Sequence, residues 1–202
     1  ERVQPDIVGR AETRAQLGLQ GTVLVYAGKA GGWYDLDELV AVVREARSVF
    51  GSLTLLVLTG DDPAPFVTAC EREEVPLCIR SAKPSEMPKY LNAADAGLCF
   101  LHPFPSKLSC SPIKLGEYLA CGLPVVSTSG CGDYDELIDS ESVGAVVAHG
   151  QRETYRRAVQ HLSKLLHEPD IRQRGRGAAR RRVGLDEVVV PKYAEIYRSL
   201  SP

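Results

Sequence analysis

The chain is 202 residues long, 44% apolar and 25% charged. That balance excludes disordered, collagen-like and coiled-coil classes and leaves room for one large or two small domains. A formal net charge of −2 argues against a nucleic-acid binder held by bulk electrostatics. No apolar run approaches the ~18–20 residues of a membrane span. The opening ERVQPDIVGR has neither a signal-peptide core nor an initiator Met, so the chain reads as a piece of a longer protein.

In chain order, short apolar runs alternate with longer runs of helical period. TVLVYA, Thr22–Ala27, is the first strand-sized run. Leu36, Leu39, Val40, Val43 and Phe50 then recur at three- and four-residue steps and predict an amphipathic helix over Leu36–Phe50, ended by Gly51. LTLLVLT at 53–59, PLCIR at 76–80, AGLCFLH at 96–102, PVVST at 124–128 and GAVVAH at 144–149 repeat the strand signal. Helical crossovers fit between them at 64–74, 86–93 and 112–121.

The runs are continuous in hydrophobicity rather than alternating, as strands covered on both faces require. The expected fold is α/β: a Rossmann-like, doubly wound parallel sheet of about six strands with helices on both faces. Ligands of such sheets bind beyond the carboxyl ends of the strands, so the loops after the strands carry the functional interest. The whole chain reads as one domain with a helical tail from about residue 151. Residues 151–182 hold ten Lys or Arg against three Asp or Glu, and the stretch RQRGRGAARRR at 172–182 is either a solvated helix face or a contact for an anionic partner or membrane surface. Residues 188–200 place Tyr193, Ile196, Tyr197 and Leu200 on one face and predict a closing helix.

Six cysteines stand at 70, 78, 99, 110, 121 and 131. None forms a C-x-x-C pair, and most sit in apolar runs, which points to buried thiols in a reducing, cytoplasmic setting. Histidines at 102, 149, 161 and 167 show no metal-ligand spacing on a helix face, so no metal site is expected. His102, just past the fourth strand, lies on the functional edge, where a packed loop histidine is the plain alternative.

The densest signal is SPIKLGEYLACGLPVVST at 111–128. Ser111 suits an N-cap and Pro112 a first helical residue, which leaves the amides of Ile113, Lys114 and Leu115 free. Free first-turn amides at the positive end of a helix make an anion site at the sheet's carboxyl edge. Lys114 and Glu117 share one helical face: a cation for a phosphate, and a carboxylate one turn deeper able to accept from ribose hydroxyls. The alternative for the pair is an ordinary surface ion pair.

SPIK followed by EYLACGLPVVST resembles the donor-binding signature of GT-B glycosyltransferases, the large retaining family 4 or group 1. The resemblance continues through Arg14 with LGL at 17–19, VLVYAGKAGGWYDLDELV, SEMPKYLNAADAGLCFL, SGCGDYDELI and SVGAVV. It implies that Glu117 contacts the donor ribose, that Gly28 lets the backbone approach the phosphates, and that Lys29 puts a cation on the diphosphate. It further implies that Ile79 and Arg80 hold the base through the backbone, and that Gly130 and Gly132 line the donor cleft. The implied donor is a nucleoside-diphosphate sugar, most often UDP-linked, with no further cofactor. The acceptor, a sugar or a lipid-linked sugar, would be held by a preceding domain outside this chain.

Two positions depart from the family pattern. Ser109 stands where the first of two spaced glutamates faces the transferred sugar, and Trp33 or Tyr34 stands near the usual lysine after the first glycine turn; Lys114 or Lys107 could supply that charge. Alternatives to the transferase are half of a nucleotide-sugar epimerase, a non-catalytic nucleotide-binding module, and a dinucleotide dehydrogenase. The last is weakened because Gly28, Gly31 and Gly32 do not make G-x-G-x-x-G.

Overall fold

A computed structural model describes residues 7–200. The elements are α1 (Ile7–Leu17), β1 (Thr22–Ala27), α2 (Leu36–Phe50), β2 (Leu53–Leu58), α3 (Ala64–Arg72), β3 (Leu77–Arg80), α4 (Met87–Ala93), β4 (Ala96–Cys99), α5 (Ile113–Ala120), β5 (Val125–Thr128), α6 (Tyr134–Ser140), β6 (Gly144–Val147), α7 (Arg152–Leu165), α8 (Ile171–Val183) and α9 (Val190–Leu200). A 3-10 turn, Pro105–Ser109, precedes α5, and a π turn, Leu185–Val189, joins α8 to α9.

The six strands form one all-parallel sheet in the order β3-β2-β1-β4-β5-β6, the doubly wound arrangement expected from the apolar runs. Two cores result. Leu39, Val40 and Val43 of α2, Phe66 of α3 and Val159 and Leu162 of α7 cover one face. Leu91 of α4, Leu115, Tyr118 and Leu119 of α5, Leu137 and Ile138 of α6 and Ala178 of α8 cover the other. The strand order reverses between β1 and β4, where a crevice opens at the carboxyl edge.

Strand bodies agree with the sequence expectation: β1 matches it end to end, β3 and β5 start one residue later, and β2, β4 and β6 end earlier. β4 stops at Cys99 because the following chain leaves the sheet. The Phe100 carbonyl takes the Asp35 amide at 3.1 Å, Leu101 exchanges hydrogen bonds with the Thr128 hydroxyl at 2.9 and 3.2 Å, and Tyr34 bridges Leu101 antiparallel. At the opposite, amino edge, Arg14 donates to the carbonyls of Ala93 and Gly21 and to Asp95, whose carboxylate also accepts the Val23 amide at 2.8 Å. The Arg14 lead-in and the aspartate before β4 are therefore a clamp on α1, remote from the crevice.

The closing helix forms, but it closes nothing here. Tyr193, Ile196, Tyr197 and Leu200 are all more than half exposed, and α9 buries no residue. The period places these residues on one face, and period cannot say what lies opposite.

Candidate functional site

β1 delivers Gly28 to the crevice, where its amide bonds the Leu58 carbonyl at 2.9 Å. Its φ is +146°, and a Cβ there would lie 2.7 Å from Lys114 Nζ and 3.3 Å from the Tyr26 hydroxyl. The backbone conformation calls for glycine, and the Lys114 ammonium occupies the space a Cβ would take. The Tyr26 hydroxyl donates to the Lys29 carbonyl at 2.8 Å and so fixes the turn, while the Lys29 side chain extends into solvent.

α5 starts one residue later than the sequence suggests. Pro112, with φ −65° and ψ 114°, is the cap, and no side chain caps the helix; Ser111 is instead hydrogen-bonded to Tyr134. The Leu115 amide bonds the Pro112 carbonyl at 3.0 Å and is not free. Expectation is corrected on both points: proline's extended ψ keeps it outside the helix, and the first turn tightens to satisfy Leu115. The amides of Ile113 and Lys114 have no partner among the described residues.

Lys114 is 8% exposed, and its Nζ has no hydrogen-bond partner. It lies 3.8 Å from the Tyr34 ring centroid and 4.3 Å from that of Tyr26, a cation–π cradle. Burial pushes its pKa down to about 8, against the upward pull of Cys99, Cys131 and Glu117. Glu117 is half-buried; loss of water raises its pKa, and Lys114 lowers it. The two form no ion pair within 4.0 Å, and Glu117 takes part in none among the described residues. A surface ion pair is therefore not what this spacing makes: Lys114 points down into the tyrosines.

Trp33 and Tyr34, the aromatics near the place of the usual lysine, each carry one from elsewhere. Lys107 Nζ sits 3.3 Å from the Trp33 ring centroid, and its side chain is buried. Gly132 has φ +60°, and a Cβ there would lie 2.2 Å from the Cys110 carbonyl oxygen; its amide bonds the Lys107 carbonyl at 3.0 Å. The loop after β5 is thus pressed on the turn that carries Lys107. Gly130 donates to Asp135 at 2.8 Å and has open space beside it. Ser109 is exposed at the end of the turn. Ile79 and Arg80 end β3, two strands away; Arg80's guanidinium donates to the Ile79 carbonyl at 2.6 Å, and the Arg80 carbonyl accepts the Thr59 amide at 3.0 Å.

The fold also makes a cluster that sequence reasoning missed. Asp35 caps α2, accepting the Glu38 amide on Oδ1 at 2.9 Å. Its Oδ2 faces His102 Nδ1 at 3.0 Å and His149 Nε2 at 2.8 Å. Spacing within a helix face could not show this meeting, because His149 and Asp35 are 114 residues apart in the chain. Their placement just past β4 and β6 was the available signal.

Two concavities lie away from this edge: about 480 Å³ against α3 and β3, lined by Val67, Cys70, Leu77 and Ile79 among others, and about 250 Å³ around Asp95 and Arg172. The chemistry gathers instead on an open edge. All six thiols are free. No helix among the described residues is long and apolar enough to cross a membrane.

Residues 21–164, well over half of the chain, match the family model described as glycosyl transferases group 1. No curated protein sequence matches the chain. Among solved structures it is similar to WaaG, a glycosyltransferase involved in lipopolysaccharide biosynthesis, with 22% identity and a TM-score of 0.74 over 95% of this chain and 51% of that one. It is also similar to Anabaena HepE, solved in complex with UDP-glucose, with 16% identity and a TM-score of 0.72 over 96% and 54%. A third is sucrose-phosphate synthase from Thermosynechococcus elongatus, with 18% identity and a TM-score of 0.68 over 98% and 50%. The likeness to these structures is one of fold, that of GT-B glycosyltransferases, and the chain spans about half the length of each.

Proposed function

This chain belongs to the group 1 glycosyl transferases, and from that premise we propose that its β1/β4 crevice holds the nucleoside-diphosphate end of a sugar donor for a retaining transfer. The observation that carries the reading is Lys114: a buried ammonium without a hydrogen-bond partner, set under the Gly28 turn and beside the unpartnered amides of Ile113 and Lys114. An unpaired buried cation is costly, and a diphosphate offset by it and by those amides removes the cost. When the bond from the sugar's anomeric carbon to the phosphate oxygen breaks, negative charge grows on the leaving diphosphate. Lys114, Lys29 and preorganised amides stabilise that charge.

Glu117, one turn along α5 and free of ion pairs, is the acceptor for ribose hydroxyls in this reading. Uridine is the base of choice because the similar HepE was solved with UDP-glucose. The acceptor would sit on a facing half, in keeping with the open edge and with the half-length coverage of the similar structures.

A melting series with UDP, GDP and ADP tests the reading, since a ligand that binds only the folded state raises Tm in step with its affinity. The expected result is the largest rise with UDP; no rise with any of the three would overturn the proposal. For Glu117→Gln, the loss of charge-assisted bonds should weaken UDP binding by roughly ten- to a hundredfold. Removing the ribose 2′-hydroxyl should weaken binding to the parent protein and matter much less in Glu117→Gln, because both changes delete one shared interaction. Additive losses would remove Glu117 from the ribose.

A further inference from the structure

The donor reading leaves the cluster of Asp35, His102 and His149 unused. Three segments far apart in sequence meet there: the start of α2, the chain just past β4, and the chain just past β6. Asp35 is 9% exposed at its side chain, whereas His102 and His149 keep 38% and 35% of theirs open, so solvent reaches the nitrogens but hardly the carboxylate. We infer that these three side chains bind a divalent transition-metal ion of zinc type, with the remaining coordination position open to water.

Distance and chemistry agree on this assignment. The three donor atoms, Asp35 Oδ2, His102 Nδ1 and His149 Nε2, lie within 4.8 Å of one another. Two ligands of a tetrahedral zinc at its usual bond lengths are roughly 3.3 Å apart. The present separations of 3.0 and 2.8 Å from the carboxylate oxygen need to widen by well under an ångström to admit the ion. Two imidazoles and one carboxylate suit zinc and its neighbours, whereas magnesium and calcium call for oxygen ligands throughout.

The ligands are also held in place. The Glu38 amide occupies Asp35 Oδ1 and turns Oδ2 to the histidines. Both Glu38 carboxylate oxygens take the Gly150 amide at 3.2 Å, which fixes the turn after His149. The His102 amide donates to the Trp33 carbonyl at 3.0 Å. Supports of this kind are what keep ligating side chains in register. The ion would tie the start of α2 to the chain just past β4 and β6 and so stiffen the Trp33–Tyr34 turn on which Lys107 and Lys114 rest.

The competing account is two imidazole N–H groups donating to one carboxylate oxygen, with no affinity for metal. Calorimetric titration of the full chain with zinc chloride separates the two. One zinc per chain is expected, with a rise in Tm that EDTA reverses and magnesium does not reproduce. Cobalt should bind at the same stoichiometry and show the visible d–d absorption of a low-coordinate nitrogen and oxygen site. His102→Ala and His149→Ala should each weaken zinc binding by at least the roughly 10- to 100-fold that losing a ligand's supporting hydrogen bond costs. The double variant His161→Ala/His167→Ala, which touches only histidines outside the cluster, should bind as the parent does.

Asp35→Asn guards against a variant that merely unfolds, because its amide oxygen still accepts from Glu38 but is a poor metal ligand. A folded Asp35→Asn with parental zinc affinity would overturn the site. So would absence of zinc binding, unchanged affinity in either cluster histidine variant, or loss of binding in the control. None of these outcomes depends on whether the chain binds UDP.

Discussion

At the scale of single residues, Lys114 is the group on which the proposed site rests, and its burial has a measurable sign. Its pKa is lowered from 10.5 to about 8, so the folded chain gives up this proton before the unfolded chain does. Between about pH 8 and 10.5 the unfolded state binds more protons, and stability rises with pH by up to ~1.4 kcal/mol per unit from this group. Below that window both states carry the charge, and the cost of burying it is fully present. Urea unfolding at pH 7 and pH 10 should show the parent gaining stability relative to Lys114→Met, which should be the more stable protein at pH 7; the buried cysteines and tyrosines, whose raised pKa values act in the opposite direction, are common to both and cancel in the difference. An equal slope in both would mean that Lys114 is not buried as described. In the same pH range, UDP affinity should fall as the ammonium is lost, and Lys114→Met should lack that fall.

At the scale of elements, α5 is tied to β1 by one hydrogen bond. The Ala27 amide donates to the Tyr118 hydroxyl at 2.8 Å, and both residues are buried. Tyr118→Phe strands that amide and should cost about 1–3 kcal/mol in chemical denaturation. A change under ~0.5 kcal/mol would show that the tie is dispensable. Helix α9 behaves in the opposite way. It buries nothing, so Tyr193→Ser, Ile196→Ser and Tyr197→Ser should each shift the stability of this chain by no more than ~0.5 kcal/mol, as exposed positions do. A large loss would mean that α9 packs on the domain in solution.

Over the whole molecule, four of the six arginines in the basic run of α8 are already paired with carboxylates. Arg174 pairs with Glu168 and Asp170, Arg180 with Glu187, Arg181 with Glu141 at 2.6 Å and Arg182 with Glu136 at 3.1 Å. Arg172 donates to the Ala94 carbonyl at 2.9 Å. Exposed pairs of this kind add little stability, but they neutralise a stretch that reads as strongly cationic in sequence. The chain should therefore fail to sediment with anionic phospholipid vesicles, and to shift single-stranded RNA, at physiological ionic strength. Salt-sensitive binding of either would restore the run as a docking surface.

What the sequence determined by itself is the layered fold and, with it, the edge of the sheet on which the candidate site lies. Continuous apolar runs of strand length, separated by helical period, admit little besides a parallel sheet covered on both faces, and such a sheet puts its ligands at the strands' carboxyl ends. Lys114 and Glu117 stand out through helix spacing, a local pattern, whereas Gly28 stands out only through the resemblance to the family signature. The tertiary structure decided what local patterns cannot carry. It set the direction in which Lys114 points, the landing of Lys107 and Lys114 on Trp33 and Tyr34, the ion pairing of α8 and the meeting of Asp35 with His102 and His149. Each is a contact between residues far apart in the chain, and a one-dimensional period records which face a residue shares with its neighbours, not what stands across from that face. The same limit explains α9: its apolar stripe is plain in the sequence, and only the tertiary structure shows that the helix buries none of its residues among those described.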